Sequence, residues 1–444
     1  MTYTARRTPV HQGPAAWADI LGAGAQYPKL EVSITADIVV IGAGFAGLSA
    51  ALRVQQLDPN ASVIVLEAGR IAQGAAGRNS GFMIDLPHDL ASEDYAGAGD
   101  DQLLTRLNRQ AIEFGDQATK MFEISPDYFD KSGKVNGAAS TKGDAHNRSY
   151  QAHLNTLGET AEWLDAQAMR DLTGSAHYVS GLFTPGTVML QPAGYIRGLA
   201  AGIAQTAKIF ENSAALSFER ISQSWLVKTA HGQVNAGKVI LAVNGHLESF
   251  GIAKGRLMQL FLFASMTSEL DAQTRARLGG AERWGVTPSD PMGTTMRRID
   301  TGQGGHRIVT RTCASLRPNM QASTGDVARA AAVQRKKFAA RFPQLAGIKM
   351  QYEWAGHLCL SLNGVAIAGA IDDGVYSACV QNGLGTARGT LTGIAAAETA
   401  LDHVSEITRF FTAQAKPKKL PPQPFASIGA NAYLRWKEWR AGAE

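Results

Sequence analysis

The sequence predicts an α/β protein (α+β overall): a Rossmann-like dinucleotide-binding domain assembled from three chain segments, with a mixed-sheet plus helix domain inserted between them. Three observations carry that reading. Residues 36–55, "ADIVVIGAGFAGLSAALRVQ", join a short apolar run to three glycines and an alanine-rich stretch. Apolar runs that meet small-residue turns recur in 188–255 and again in 350–405. The stretches between them, 91–187 and 256–349, change character and read as the inserted substrate domain. With 36–90 as the first dinucleotide piece, the remainder is an N-terminal extension, 1–35, and a C-terminal tail, 406–444.

The elements come in chain order. Asp37 to Ile41 is an apolar strand, and "SVIVLE" is a second one that ends in Glu67. Between them Gly42, Gly44 and Gly47 stand in G-x-G-x-x-G spacing before Leu48, Ala51, Leu52 and Val54 take up helical periodicity. Gly42 permits the tight turn, Gly44 lets the backbone approach a pyrophosphate, and Gly47 lets the helix pack closely on the sheet. The helix start then turns its unpaired N–H groups toward the phosphates. Glu67, with Ala68 next to it, lies about twenty residues past Gly47, where a carboxylate accepts the ribose hydroxyls.

The stretch after Glu67 separates FAD from a nicotinamide nucleotide. A nicotinamide domain proceeds to another βα unit, whereas "GRIAQGAAGRNSGF", 69–82, is a second glycine-rich loop. It offers Arg70, Gly77, Arg78, Asn79 and Ser80 to a long cofactor lying across the domain. "FENSAALSFE" reads as a strand whose backbone near Ala215 meets an adenine. "KVILAVNG" is a further strand and turn, presenting Ala242, Asn244 and Gly245. In "VQNGLGTARGTLTGIAAAETAL" a helix opens after Gly383, Leu384, Gly385 and Thr386, with Leu391, Ile394 and Leu401 on one face. The positive end of its dipole can stabilise the negative charge of a reduced flavin. FAD is therefore the expected cofactor.

The first inserted stretch, 91–187, is mostly helical in pattern, with Leu103, Leu104, Leu107, Ala111, Phe114 and Ala118 at helical spacing. The second, 256–349, reads as strands at "LFLFASMTSEL" and "GGHRIVTRTCAS", closed by a helix near Gly325 to Phe342. The tail passes through "KPKKLPPQPFAS", a proline-rich linker, to "YLRWKEWRAGAE", a short basic and aromatic helix.

At 444 residues, 45% of them hydrophobic, the chain can bury a large core. Its three cysteines, Cys313, Cys359 and Cys379, are scattered and odd in number, which excludes a disulfide framework or a CxxC site. No metal site is expected. Arg6 and Arg7 precede no apolar leader run, and no stretch reaches the roughly 18 uncharged apolar residues of a membrane span. A cytoplasmic location is the expectation. The net charge of +5 comes from dispersed Lys and Arg, with one concentration at Lys416, Lys418, Lys419, Arg435, Lys437 and Arg440. Nucleic acid is not an expected partner, because no basic stripe interleaved with aromatics is present.

These residues resemble the D-amino acid oxidase-like flavoproteins of the glycine/sarcosine oxidase type, and within them the γ-glutamylputrescine oxidoreductase subgroup. The resemblance runs from about Trp17 to Leu401. It rests on "ADIVVIGAGFAGLSAAL", on "VIVLEAGRIAQGAAGRNSG", on "VILAVNG", and on "EWAGHLCLSLNGVAIAG" together with "NGLGTARGTLTG". It implies non-hydrolytic FAD binding and oxidation of a C–N bond of an amine or amino acid, the product imine then hydrolysing in water. Implied substrates are γ-glutamyl-polyamines, cyclic imino acids such as L-pipecolate, and N-alkyl amino acids, with oxygen or another acceptor taking the electrons. Two departures stand out: Gly383, Leu384 and Gly385 replace a GHG-like turn, and Ser80 replaces a second glycine. In sarcosine oxidase relatives a cysteine in a strand like "HLCLSLN" is bonded to the flavin, so Cys359 is either such a link or a buried core cysteine.

The oxidation needs a neutral amine held with its α-carbon beside the flavin. His357 is the candidate for accepting the amine proton. Arg297 and Arg298 are candidates for holding a substrate carboxylate. Tyr352 and Trp354 are candidate walls, and His88 a weaker site candidate. Two alternatives stay open beside the amine oxidoreductase: an RNA-modifying flavoprotein of the same family and a quinone-linked amino-acid dehydrogenase. The last would suit a tail that touches a membrane interface through Tyr433, Trp436 and Trp439, although the same stripe can dock on the protein's own surface.

Overall fold

Strands Ser33–Ile41, Val63–Leu66, Lys208–Phe210, Gln233–Leu241 and Val375–Cys379 run parallel in the computed structural model, which describes residues 2–87 and 100–444. Val63–Leu66 and the last four residues of Ser33–Ile41 are buried on both faces, as a doubly covered parallel sheet requires. An antiparallel meander, Ser217–Ile221 with Ser224–Lys228, pairs with the first half of Gln233–Leu241. Thr2–Thr4 and Ile367–Asp372 complete the nine-stranded sheet. Helices Phe45–Leu57 and Ala387–Ala400 lie against it and against each other. Their approach is close because Gly393 carries no side chain: a Cβ there would lie 2.2 Å from the Ala46 carbonyl oxygen.

The second sheet has eight strands in the order Met350–Ser361, Leu257–Thr267, Arg307–Leu316, Thr295–Ile299, Trp284–Pro288, Lys134–Ala138, Ser180–Thr184, Glu162–Asp165. Helix Thr324–Arg341 covers one face, where Gln334 Nε2 donates to the carbonyls of Phe263 and Thr312 at 2.9 and 3.2 Å. The opposite face meets the first domain through a core shared by Trp17, Met83, Leu190, Ala264, Val309 and Trp354.

Several boundaries differ from the sequence reading. The stretch 350–405 is divided: Met350–Ser361 is the edge strand of the second sheet, paired along its length with Leu257–Thr267, and only the part from Ile367 onward joins the first. Residues 1–35 are not merely an extension, since Thr2–Thr4 is an edge strand of the first sheet. The stretch 91–187 contributes three strands of the second sheet beside its helices Asp101–Met121, Thr141–Thr156 and Ala166–Thr173. "FENSAALSFE" is not one strand. Glu211 turns inward to accept from the Ile71 and Tyr27 N–H groups at 2.6 and 3.2 Å, and Asn212 takes φ +49, which breaks the extended run.

Candidate active site

Parallel strands that end together create a ligand crevice at their carboxyl ends. Here Ile41, Leu66 and Leu241 stand in register, with Ser377 beside Leu241, so the loops after four strands gather at one edge. Gly42 turns at φ +108, and a Cβ on it would lie 2.6 Å from the Ala242 carbonyl oxygen. A Cβ on Gly47 would lie 1.7 Å from the Gly42 carbonyl oxygen, so the helix can start this close to the turn only with glycine there. Gly44 is the N-cap of Phe45–Leu57 and supplies no side-chain cap, which leaves the first amides for a ligand. Glu67 accepts from the Ala43 and Gly69 N–H groups at 2.9 and 3.1 Å. Burial raises its pKa, and those N–H groups oppose the rise.

The second helix, Ala387–Ala400, begins beside the first: a Cβ on Gly389 would lie 3.2 Å from Phe45 Cβ. Its N-cap, Thr386, donates its hydroxyl to the Phe82 carbonyl at 2.8 Å rather than capping its own helix. Gly383 has φ +88, Leu384 is buried between the two glycines, and a Cβ on Gly385 would meet nothing within 4 Å. Asn244, at φ +48, holds a buried Oδ1 with no partner among the described residues. Two uncapped helix starts, an acid fixed beside the glycine turn and an unpaired acceptor on the same edge fit an extended anionic dinucleotide such as FAD.

The loop 75–81 is shaped by its own side chains. A Cβ on Gly77 would lie 1.8 Å from the Ala72 carbonyl oxygen. Arg78 donates to the carbonyls of Gln73, Gly13 and Ala355 at 2.8, 2.9 and 3.2 Å, and burial lowers its pKa to about 10. Asn79 Oδ1 accepts from the Gly81 N–H at 2.7 Å, while its Nδ2 donates to the Ala76 carbonyl at 2.5 Å. Trp17 and Trp354 donate their indole N–H groups to the carbonyls of Asn79 and Arg78 at 2.8 and 3.0 Å. Arg78 and Asn79 thus hold the loop rather than reach outward, and Ser80 is half-buried beside them. Ala68 comes directly after Glu67. Arg70 leaves the crevice: it stands 3.9 Å from Glu211 and lines a separate cleft of about 370 Å³ with Tyr27, Tyr128 and Arg197. Ala215 is buried in a loop tied to Glu67 by Ser213, whose N–H donates to the Glu67 carbonyl at 2.8 Å. Gly245 packs against Gln259, His357 and Cys359.

Strand Met350–Ser361 supplies a wall across from this loop. From 355 to 361 its odd residues are buried and Gly356, Leu358 and Leu360 are half-open, so one face looks onto free space. It is the face of the loop 75–81, since a Cβ on Gly356 would lie 3.2 Å from the Arg78 carbonyl oxygen. Leu262, half-open and opposite Gly356, continues it. Trp354, Ala264, Arg311 and Thr295 stand opposite one another in a row across four strands on this same face. Sequence reasoning missed the wall; its signal was the alternation of Gly356, Leu358 and Leu360, read there as a cysteine strand.

The candidate catalytic residues are engaged with the protein itself or turned to the other face. Arg297 shares the face of the loop 75–81 but is buried and spent: it donates to the carbonyls of Gly81 at 3.1 Å and of Leu190, and to Gln303 Oε1 at 2.8 Å. Burial lowers its pKa to about 9. Arg298, the next residue, points to the opposite face, where it donates to the Gly279 carbonyl at 2.5 Å. His357 also points away from the wall, bonded through Nε2 to Gln259 Oε1 at 2.9 Å, and burial lowers its pKa to about 3 rather than leaving it near neutrality. Cys359 is wholly buried on that side with Leu241 and Cys379, and burial pushes its thiol well up, away from the thiolate that a flavin bond needs. Trp354 is buried and supports the loop, and Tyr352 stands 5.9 Å beneath Arg307. His88 lies outside the described residues. Among those residues no group of His, Cys, Asp and Glu is arranged to hold a metal.

Comparison with known proteins bears on the family and the fold. The chain is 28% identical over 392 residues to the probable oxidoreductase OrdL of Haemophilus influenzae, covering 87% of each chain. It is 25% identical over 417 residues to the gamma-glutamylputrescine oxidoreductase of Escherichia coli K12, covering 92% of this chain and 94% of that one. Its fold is that of glycine oxidase from Geobacillus kaustophilus, with a TM-score of 0.68 at 15% identity over 86% of this chain and 100% of that one. The DAO family model, described as FAD dependent oxidoreductase, matches residues 37–399, and the chain belongs to that family of FAD-dependent oxidoreductases.

Proposed function

We propose that this chain oxidises the C–N bond of an amine whose charged groups lie away from the reacting carbon, as in a γ-glutamyl-polyamine. Cyclic imino acids such as L-pipecolate and N-alkyl amino acids are the other two classes. The observation that carries the choice is the half-open apolar face of Leu262, Gly356, Leu358 and Leu360. A carboxylate next to the reacting carbon would need a cation beside it; Arg297 and Arg298 are both committed to backbone carbonyls, and Arg311 stands farther along the same face, opposite Ala264, where it suits a charge remote from the reacting carbon. The E. coli relative, a gamma-glutamylputrescine oxidoreductase, supports the same choice.

Bound FAD supplies the hydride acceptor. Gly42, Gly44 and Gly47 would hold its pyrophosphate on the helix start, Glu67 its ribose, and the backbone of 75–81 with the start of Ala387–Ala400 its flavin. The wall's contribution is desolvation. Burial against leucine disfavours the ammonium, so the substrate gives its proton to water on entry and presents the lone pair that the oxidation needs. No dedicated base is required, which suits a His357 that is neutral and turned away. The imine product hydrolyses after release, and oxygen or another acceptor takes the electrons.

The test is an anaerobic screen of flavin bleaching with γ-glutamylputrescine, pipecolate, sarcosine and proline, and then exposure to air. Bleaching fastest with γ-glutamylputrescine is the expected result. Faster bleaching by sarcosine or proline would sink the remote-charge reading, and the speed of recolouring in air separates oxygen from another acceptor.

A further inference from the structure

Helix Phe425–Arg440 is mounted with its polar side inward. Asn431 Oδ1 accepts from the Leu316 N–H and Glu438 Oε1 from the Ala314 N–H, both at 2.9 Å. Arg435 donates to the Ala314 carbonyl at 2.8 Å and to Ser315 Oγ at 2.9 Å, and Glu438 also holds Arg329 at 2.9 Å. These groups satisfy the part of Arg307–Leu316 that runs past its pairing with Thr295–Ile299, a sheet edge that would otherwise present bare backbone.

That orientation turns the apolar side out. Phe425, Ile428, Tyr433, Trp436 and Trp439 are 73, 66, 55, 45 and 77% exposed. With Gly429 and Ala432 between them they form one stripe at 3.6 residues per turn. Its flank is cationic: Lys437 Nζ lies 5.7 and 5.9 Å from the Tyr433 and Trp436 rings, and the Arg440 guanidinium 5.3 Å from Trp436. Lys416, Lys418 and Lys419, also exposed, lie on a segment pinned by the Leu420 N–H to the Gly255 carbonyl at 2.9 Å, and none pairs with an acid among the described residues. No helix among the described residues is long and apolar enough to cross a membrane.

We propose that this helix is a membrane foot that holds the enzyme on an anionic lipid surface, its aromatic stripe in the headgroup boundary and its lysines over the phosphates. An aromatic stripe this open calls for a cover, and the charge beside it selects the occupant. A second copy on a two-fold axis would set the basic flank against itself. An anionic bilayer neutralises the flank while burying the aromatics, which is how interfacial helices bind.

The experiment is co-sedimentation of the full-length, FAD-loaded protein with phosphatidylglycerol-rich vesicles and with pure phosphatidylcholine vesicles. The expected result is binding to the anionic vesicles, at least tenfold weaker in 0.5 M salt, on phosphatidylcholine, or in the Trp436→Ser/Trp439→Ser double variant. Flavin content and melting temperature of that variant stay at wild-type values, since both side chains face solvent, so lost binding is not lost folding. Protein left in the supernatant with anionic vesicles overturns the proposal. So does a concentration-dependent dimer that the double variant abolishes, which assigns the stripe to a second copy.

Discussion

His357 is where the chemistry of one residue is decided by its surroundings. Burial favours the neutral ring, and Gln259 Oε1 fixes one nitrogen, so the folded pKa sits at about 3, below the unfolded value of 6.5. The unfolded chain therefore binds a proton that the folded one refuses. Stability from this residue is complete above pH 6.5 and falls as the pH drops toward 3. At pH 5 the loss is about 2 kcal/mol for this group alone, from 1.36 kcal/mol per pKa unit. The His357→Gln variant is expected to melt with a weaker dependence on pH between 7 and 5 than the wild type. Its rate of flavin reduction by substrate should keep an unchanged pH profile. A pH limb of that rate that disappears in His357→Gln would return the residue to the reaction.

At the scale of elements, pairs of them set what a single residue can reach, and this is where legibility in the sequence divides. The glycine turn, the acid at the end of "SVIVLE" and the helix after Thr386 were readable because each is local: a strand, a turn and a helix start occupy a few consecutive residues. The direction of a strand side chain was not, because a period of two sends Arg297 and Arg298 to opposite faces and only the partner strands define which face is the site. The same alternation took His357 and Cys359 away from the wall and gave it to Leu358 and Leu360. The helix pair shows how tightly elements constrain one another. Phe45–Leu57 and Ala387–Ala400 touch backbone to backbone at Gly393, so Gly393→Val drives a branched side chain into the Ala46 carbonyl and Ala50 amide. A cost of about 3 kcal/mol or more is expected, read as a lowered melting temperature. Because the same helices begin at the dinucleotide crevice, flavin content should fall with it. A variant that keeps wild-type flavin content and melting temperature would mean that the helices can separate freely.

The whole molecule depends on how two sheets from interleaved segments are locked around one crevice; Arg297 is one lock, beside the bonds of Trp354 and Ala355 to Arg78. It sits on the second sheet, is buried, and spreads its guanidinium over acceptors from two remote stretches, Ser80 and Gly81 of the loop 75–81 and Leu190 of the strand Val188–Leu190, and over nearby Gln303. Trp17, 5.1 Å beneath it, donates in turn to the same loop at the Asn79 carbonyl. An arginine that reads as a carboxylate anchor in sequence is thus a joint between domains, its cation held by carbonyl dipoles and attracted by the Asp130 carboxylate without an ion pair. Lysine keeps the charge but has no planar fork to span these acceptors. Arg297→Met removes the guanidinium from the Ser80 and Leu190 carbonyls and from Gln303 Oε1, while the Gly81 carbonyl keeps the Leu190 N–H. A buried acceptor left bare costs about 1–3 kcal/mol, so this variant should melt below the wild type, with Arg297→Lys between them. The joint makes a second demand that a mere packing role would not: loosening it frees residues 80–81, so both variants should release flavin faster on dialysis while Gln259 and His357, on the other face of the sheet, keep their bond. A lowered melting temperature with flavin retention unchanged would confine Arg297 to stability. Loss of both in proportion would make the joint between the two sheets the element that keeps the crevice shaped for its cofactor.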